Sequence, residues 1–168
     1  MTRLRRGLLG LLLVVALWHG GQAAWIPAKA FVAQRLLAWA WAGTQAGFGV
    51  VRPWPWADTH PVARLRVPGR DVDLFVLAGA SGRTLAFGPG HLSGSPLPGE
   101  GGNAVLSGHR DTHFAFLRDL AVGDDLVVED RAGDLLRYRV AEMRVVDRRD
   151  VWVTADTVDS RLTLVTCY

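Results

Sequence analysis

Residues 61–167 are divided into short runs of apolar and β-branched side chains, separated at close intervals by Gly, Pro and Asp. This punctuation constrains the fold more than any other feature of the sequence. Val62, Leu65 and Val67 are interrupted by Arg64 and Arg66, a period near two, and are followed by a Pro68-Gly69 turn. Val72–Ala78, Asn103–Ser107, 126–128, 135–140, 143–146, 151–153 and 162–165 are further strand-length runs, with Ala132-Gly133-Asp134 as a hairpin turn. Phe114, Phe116, Leu117 and Leu120 suggest one short helix, stopped near Gly123. Many short strands around a single helix predict a mainly β domain, a barrel or a sandwich. Residues 79–102, rich in Gly and Pro, are expected to be irregular, in a stretch of the length that usually serves a function. They contain neither Gly-Lys-Ser/Thr nor Gly-x-Gly-x-x-Gly, which argues against a phosphate cradle.

The N-terminal part has a different character. Arg3, Arg5 and Arg6 precede an apolar run over 8–18 broken only by Gly10. A positive segment before an apolar core reads as an export signal, and its basic residues favour the cytoplasmic side. A spanning helix needs about 20 residues, and the run reaches that length if 19–22 are tolerated and it extends to Ile26. Residues 1–26 are therefore expected as an uncleaved anchor, with a signal cleaved near 21–24 as the alternative. Either way the remainder faces an extracytoplasmic space. Pro27 can open a second helix to about Trp41, suited to lie on a membrane surface or to pack on the domain. Arg52-Pro53-Trp54-Pro55-Trp56 then reads as a stiff linker. The expected division is an anchor at 1–26, a helix and linker at 27–60, and the β domain at 61–168.

A chain of 168 residues suits one domain plus an appendage. The net charge of +3 comes from scattered arginines without a basic stripe interleaved with aromatics, which argues against a nucleic-acid partner. The single cysteine, Cys167, excludes an internal disulfide.

Cys167 ends the run Leu162-Thr163-Leu164-Val165-Thr166, and a lone cysteine there is either a small packing residue or a nucleophile. Ser107-Gly108-His109-Arg110-Asp111-Thr112-His113 also follows a strand-like run. A cysteine and a histidine far apart in sequence can be neighbours in a fold, and that pairing makes a thiolate nucleophile. The competing pattern is His109-x-Asp111-x-His113, which on a strand puts three metal ligands on one face and in a turn sends them apart. Ser81, Ser93, Ser95 and Ser107 have no base partner visible in the sequence.

Taken together, these stretches resemble the sortases, cysteine transpeptidases of bacterial envelopes. Asn103-Ala104-Val105-Leu106-Ser107-Gly108-His109-Arg110 is similar to their histidine strand, and Leu162-Thr163-Leu164-Val165-Thr166-Cys167 to their Thr-Leu-x-Thr-Cys strand. The glycine-rich stretch from Gly88-Pro89-Gly90-His91 through Pro98-Gly99-Glu100-Gly101-Gly102 matches the loop leading into that histidine. Trp25-Ile26-Pro27-Ala28-Lys29-Ala30, Pro53-Trp54-Pro55-Trp56-Ala57-Asp58 and residues 107–114 resemble the proteobacterial class GN branch, with Ser107 where that pattern has alanine.

The resemblance implies a sortase-like β-barrel with short helices, preceded by a hydrophobic helix and a second helix. It makes Cys167 the nucleophile and His109 the proton carrier. Thr166, next to the cysteine, is expected to hold the substrate carbonyl or simply to favour the strand, and His91, in the glycine-rich loop, to line the substrate groove or to stand in solvent. The implied reaction cleaves a C-terminal sorting signal of an exported protein through an acyl-thioester and passes the product to an amine acceptor. No cofactor or metal is implied. The implied location is the inner membrane, with the catalytic domain periplasmic. Sortases also use an arginine on the strand after the cysteine, and no arginine here matches it, so the sequence is expected to be a fragment lacking that last strand. Two other readings stay open: an incomplete, peptide-binding sortase-like module, and a metal-dependent envelope hydrolase using His109, Asp111 and His113.

Overall fold

The computed structural model describes residues 2–168. Alanine and leucine, the strongest apolar helix formers, dominate the N-terminal segment, and Thr2–Gln45 forms one helix, α1, of 44 residues. The two helical segments expected on either side of Pro27 are joined end to end, with the proline inside the helix. Pro27 withholds one backbone N–H from the ladder, and the long helical runs on both sides carry the chain through that gap. Gly7–Gln45 is long and apolar enough to cross a membrane by length and composition. Leu11, Leu12, Leu13, Leu17 and Trp18 on this stretch are all exposed.

The chain divides into two compact units, Met1–Arg35 and Leu36–Tyr168. Within the second, Leu37, Ala40, Trp41 and Thr44 recur at steps of three and four, share one face of α1 and are buried. Gln45 Nε2 donates to Glu129 Oε1, while Glu129 Oε2 pairs with Arg66. The last turn of α1 is thereby tied to the sheet.

That sheet has seven strands in the order β6-β5-β1-β2-β3-β4-β7 and curls into a nearly closed barrel. β1 (Pro61–Val67) shows the expected alternation, with Leu65 and Val67 inside and Arg64 and Arg66 partly exposed between them. Gly69, at φ +76°, supplies the left-handed turn residue that lets β1 pair antiparallel with β2 (Val72–Ala78). Residues 79–102 are largely irregular, yet they hold a short helix, α2 (Gly82–Leu85), and a two-residue strand, β3 (Gly90–His91). Ser81 caps α2 by accepting from the Thr84 amide. A Cβ on Gly90 would lie 2.2 Å from the Gly79 carbonyl oxygen, so only glycine fits where β3 meets β2. β4 (Asn103–Ser107), β5 (Asp125–Glu129), β6 (Leu135–Arg139) and β7 (Arg161–Val165) complete the sheet. Val62, Leu65, Val76, Leu106, Phe114, Leu126 and Val128 form the centre of its core.

Three expected elements differ. The helix after residue 113 is the 3₁₀ turn Ala115–Asp119. Residues 143–146 are not a strand: they follow the edge strand β6, and among the described residues nothing pairs with their backbone. Residues 151–153 lie in a 3₁₀ turn, Val151–Thr154, closed by the Ala155 amide on the Trp152 carbonyl. In both latter cases the β-branched composition signals strand preference, but a strand also requires a neighbour.

Candidate active site

β4 and β7 are parallel, paired from Asn103↔Arg161 to Ser107↔Val165. Parallel strands end on the same side of a sheet, so whatever follows Ser107 and Val165 emerges together. The pairing continues past the strands: the Gly108 amide donates to the Val165 carbonyl at 3.1 Å, and Thr166 Oγ1 donates to the Gly108 carbonyl at 2.8 Å. His109 and Cys167 come one residue later on each side. Neighbouring strand backbones lie about 4.8 Å apart, so the two residues occupy equivalent positions past adjacent strand ends. Cys167 is exposed, and His109 is exposed as well.

After His109 the chain turns. The amides of Thr112 and Phe114 both donate to the His109 carbonyl, at 3.4 and 3.0 Å. Phe114 is 1% exposed and meets Phe116 edge-on at 5.8 Å between ring centroids. Because residues 110–114 form a turn, His109, Asp111 and His113 do not share a strand face. Among the described residues no three His, Cys, Asp or Glu side chains gather as a metal set. Asp111 is paired with Arg110, 3.2 Å from its Nε. His113 is half-buried, with its Nδ1 enclosed and lacking a hydrogen-bond partner. Burial, and secondarily the charge of nearby His109, hold its pKa below the ordinary imidazole value. At neutral pH His113 is therefore uncharged.

His91 is 8% exposed in β3. Its Nε2 lies 2.9 Å from the Pro96 carbonyl and 3.1 Å from Ser95 Oγ. Ser95 Oγ donates to the Leu92 carbonyl at 2.9 Å and accepts from the Val105 amide at 3.2 Å. A carbonyl only accepts, so His91 Nε2 carries a proton and cannot serve Ser95 as a base. The serine–histidine contact, invisible in the sequence, is a brace for the 92–96 loop.

A second contact that the sequence conceals lies at the other end of β4. Asn103, 2% exposed, donates through Nδ2 to the carbonyls of Val153 (3.2 Å) and Ala155 (2.9 Å), and its Oδ1 accepts from Thr163 Oγ1 at 2.6 Å. Its own amide donates to Asp156 Oδ1 at 3.1 Å. Asn103 and Asp156 together fasten the loop between β6 and β7, next to a cavity of about 200 Å³ lined by Ser93, Ser95, Pro96, Thr154 and Asp156.

The family profile described as the sortase domain matches residues 65–168. Sortase D of Bacillus subtilis (strain 168) is 34% identical over 105 residues, covering 62% of this chain and 52% of the relative. Sortase A of Listeria monocytogenes is 33% identical over 110 residues, covering 63% of this chain and 49% of the relative. The chain thus spans about half the length of the curated relatives it matches. Among solved structures, the Clostridium perfringens Sortase D5 transpeptidase superimposes with a TM-score of 0.68 at 21% identity, covering 82% of this chain and 89% of that one. At that identity the likeness speaks for the fold.

Proposed function

The chain belongs to the sortase family, and from that premise we propose that it acts as a cysteine transpeptidase with Cys167 as nucleophile and His109 as proton carrier. The observation that carries this reading is the parallel β4–β7 register, in which residues 109 and 167 follow directly on the Gly108–Thr166 contact and both are exposed. An imidazolium beside a thiol favours the thiolate, the reactive form. Cys167 Sγ adds to a peptide carbonyl carbon of the sorting signal. The resulting tetrahedral species breaks its C–N bond as His109 gives its proton to the departing amine. An acyl-thioester remains on Cys167. The neutral His109 then takes a proton from the acceptor amine as its nitrogen attacks, the C–S bond breaks, and the new amide leaves.

In this reading Thr166, expected to hold the substrate carbonyl, has its hydroxyl proton engaged on Gly108, and His91 braces the loop beside β4. The substrate is an exported protein carrying a C-terminal sorting motif, and the acceptor is an amine. We assign the chain to the proteobacterial class GN branch on its Trp25–Ala30, Pro53–Asp58 and 107–114 stretches. The apolar part of α1, with Arg3, Arg5 and Arg6 before it, serves as an inner-membrane anchor with the barrel on the periplasmic side.

The test is thiol alkylation by iodoacetamide, followed by intact mass. At pH 6 Cys167 is expected to react about tenfold faster in the wild-type chain than in His109→Ala, because the thiolate is the reactive form and an adjacent imidazolium favours it. Equal rates in the two proteins would overturn the assignment of both residues.

A further inference from the structure

Gly108 sits directly before His109 and is held from three sides. Its amide donates to the Val165 carbonyl at 3.1 Å, and its carbonyl accepts from Thr166 Oγ1 at 2.8 Å. Its α-carbon lies under the Phe114 ring, where a Cβ would come within 2.8 Å of two ring atoms and 3.0 Å of a third. The Phe114 amide meanwhile bonds the His109 carbonyl at 3.0 Å. One side of this arrangement leads to the imidazole and the other, through Thr166, to the thiol. Apart from Thr163 Oγ1 on Asn103 Oδ1 at the far end of the pair, the other hydrogen bonds across β4 and β7 run between backbones that any sequence supplies. At the level next to His109 and Cys167, the side-chain contributions are the Thr166 hydroxyl and the Phe114 ring.

We propose that Thr166 and Phe114 are positioning residues that act through Gly108 to set the spacing between His109 and Cys167. This rests on the assignment of those two residues made above. It gives Thr166 a task that needs no substrate: the hydroxyl clamps the residue before the cysteine to the residue before the histidine. Phe114 works from the other direction. Its ring is anchored among core side chains and lies on the one α-carbon bare enough to receive it, so the turn that follows cannot lift away from β7.

A small electrophile separates this role from carbonyl binding, because iodoacetamide offers no peptide for a threonine to hold in register. Thr166→Val keeps the shape and strand preference and removes only the hydroxyl. In the full-length chain it is expected to slow Cys167 alkylation at pH 6 about threefold, because an imidazole out of place favours the reactive thiolate less. Thr166→Ser, which restores the hydroxyl, is expected to recover the rate. Phe114→Leu is expected to act in the same direction, with thermal unfolding recorded alongside to identify loss of fold. The deciding measurement is the double variant. If Thr166 works through the His109–Cys167 spacing, Thr166→Val causes no further loss in a His109→Ala background. An undiminished rate in Thr166→Val, or a loss of equal size in both backgrounds, overturns the positioning role while leaving the Cys167–His109 pairing intact. A silent His109→Ala overturns the pairing itself and the positioning role with it.

Discussion

His113 shows how two imidazoles four residues apart can be given different surroundings by one turn. His109 is exposed, whereas His113 is half-buried with Nδ1 enclosed and unpartnered, and burial lowers its pKa. His60 is lowered as well, first by burial and then by Arg131 and Arg52. For both, the unfolded imidazole titrates near about 6.5 and the folded one lower. Between those two values the unfolded chain binds protons that the folded chain does not, so stability falls as the pH drops from 7 through this window. The melting temperature is therefore expected to decrease on mild acidification, and His113→Phe is expected to flatten part of that slope. An unchanged slope in the variant contradicts the burial argument. At this scale the sequence makes some residues legible and hides others. Cys167 and His109 stand out because each ends a strand-like run, and the register then follows from β4 and β7 being parallel. The Phe114 ring on Gly108 and the Ser95–His91 brace are contacts made from a turn and a loop that no strand or helix period places, so only the folded chain reveals them.

Among the elements, the β6–β7 connection illustrates the limit of reading strands from composition. Residues 143–146 and 151–153 carry β-branched and apolar side chains, yet Met143, Val145, Val151 and Trp152 are exposed and no ladder forms there. Strand propensity describes a side chain's fit to a pleated surface, and the surface has to exist. Asn103 helps to hold this connection: its buried side-chain amide fastens Val153 and Ala155 to β4 and accepts from Thr163 of β7. Asn103→Ala removes three hydrogen bonds at once, and the carbonyls of Val153 and Ala155 and the Thr163 hydroxyl, none of them fully buried, turn to water, so the expected cost is about 0.5–1.5 kcal/mol for each bond lost. Chemical denaturation should show that loss, and limited proteolysis should cut faster within 151–160. A variant as stable and as resistant as wild type contradicts the fastening role. β1, β2, β4, β5, β6 and β7, by contrast, were all readable, because alternation and Gly/Pro punctuation agree with the pairing the barrel provides.

At the scale of the whole chain, α1 belongs partly to each compact unit. Its residues 36–45 bury Leu37, Ala40 and Trp41 within the second unit, so a chain begun at Leu36 is expected to fold and to stay in solution, whereas the full chain pellets with anionic phospholipid vesicles. Trp41→Ala should cost about 3–5 kcal/mol of stability, the usual effect of emptying a large aromatic site. Equal partitioning of the long and short chains would remove α1 as the anchor.

The proposed chemistry requires residues 109 and 167 to be neighbours past the ends of two parallel strands, and a cross-link measures that directly. Adjacent strand backbones are close enough to satisfy disulfide geometry, which asks for Cα atoms about 4.4–6.8 Å apart. His109→Cys, oxidised under dilute conditions, is predicted to give a monomer without free thiol whose intact mass is lighter by two hydrogens and reverts on reduction. A monomer that keeps both thiols free, or that cross-links only between chains, would contradict the arrangement.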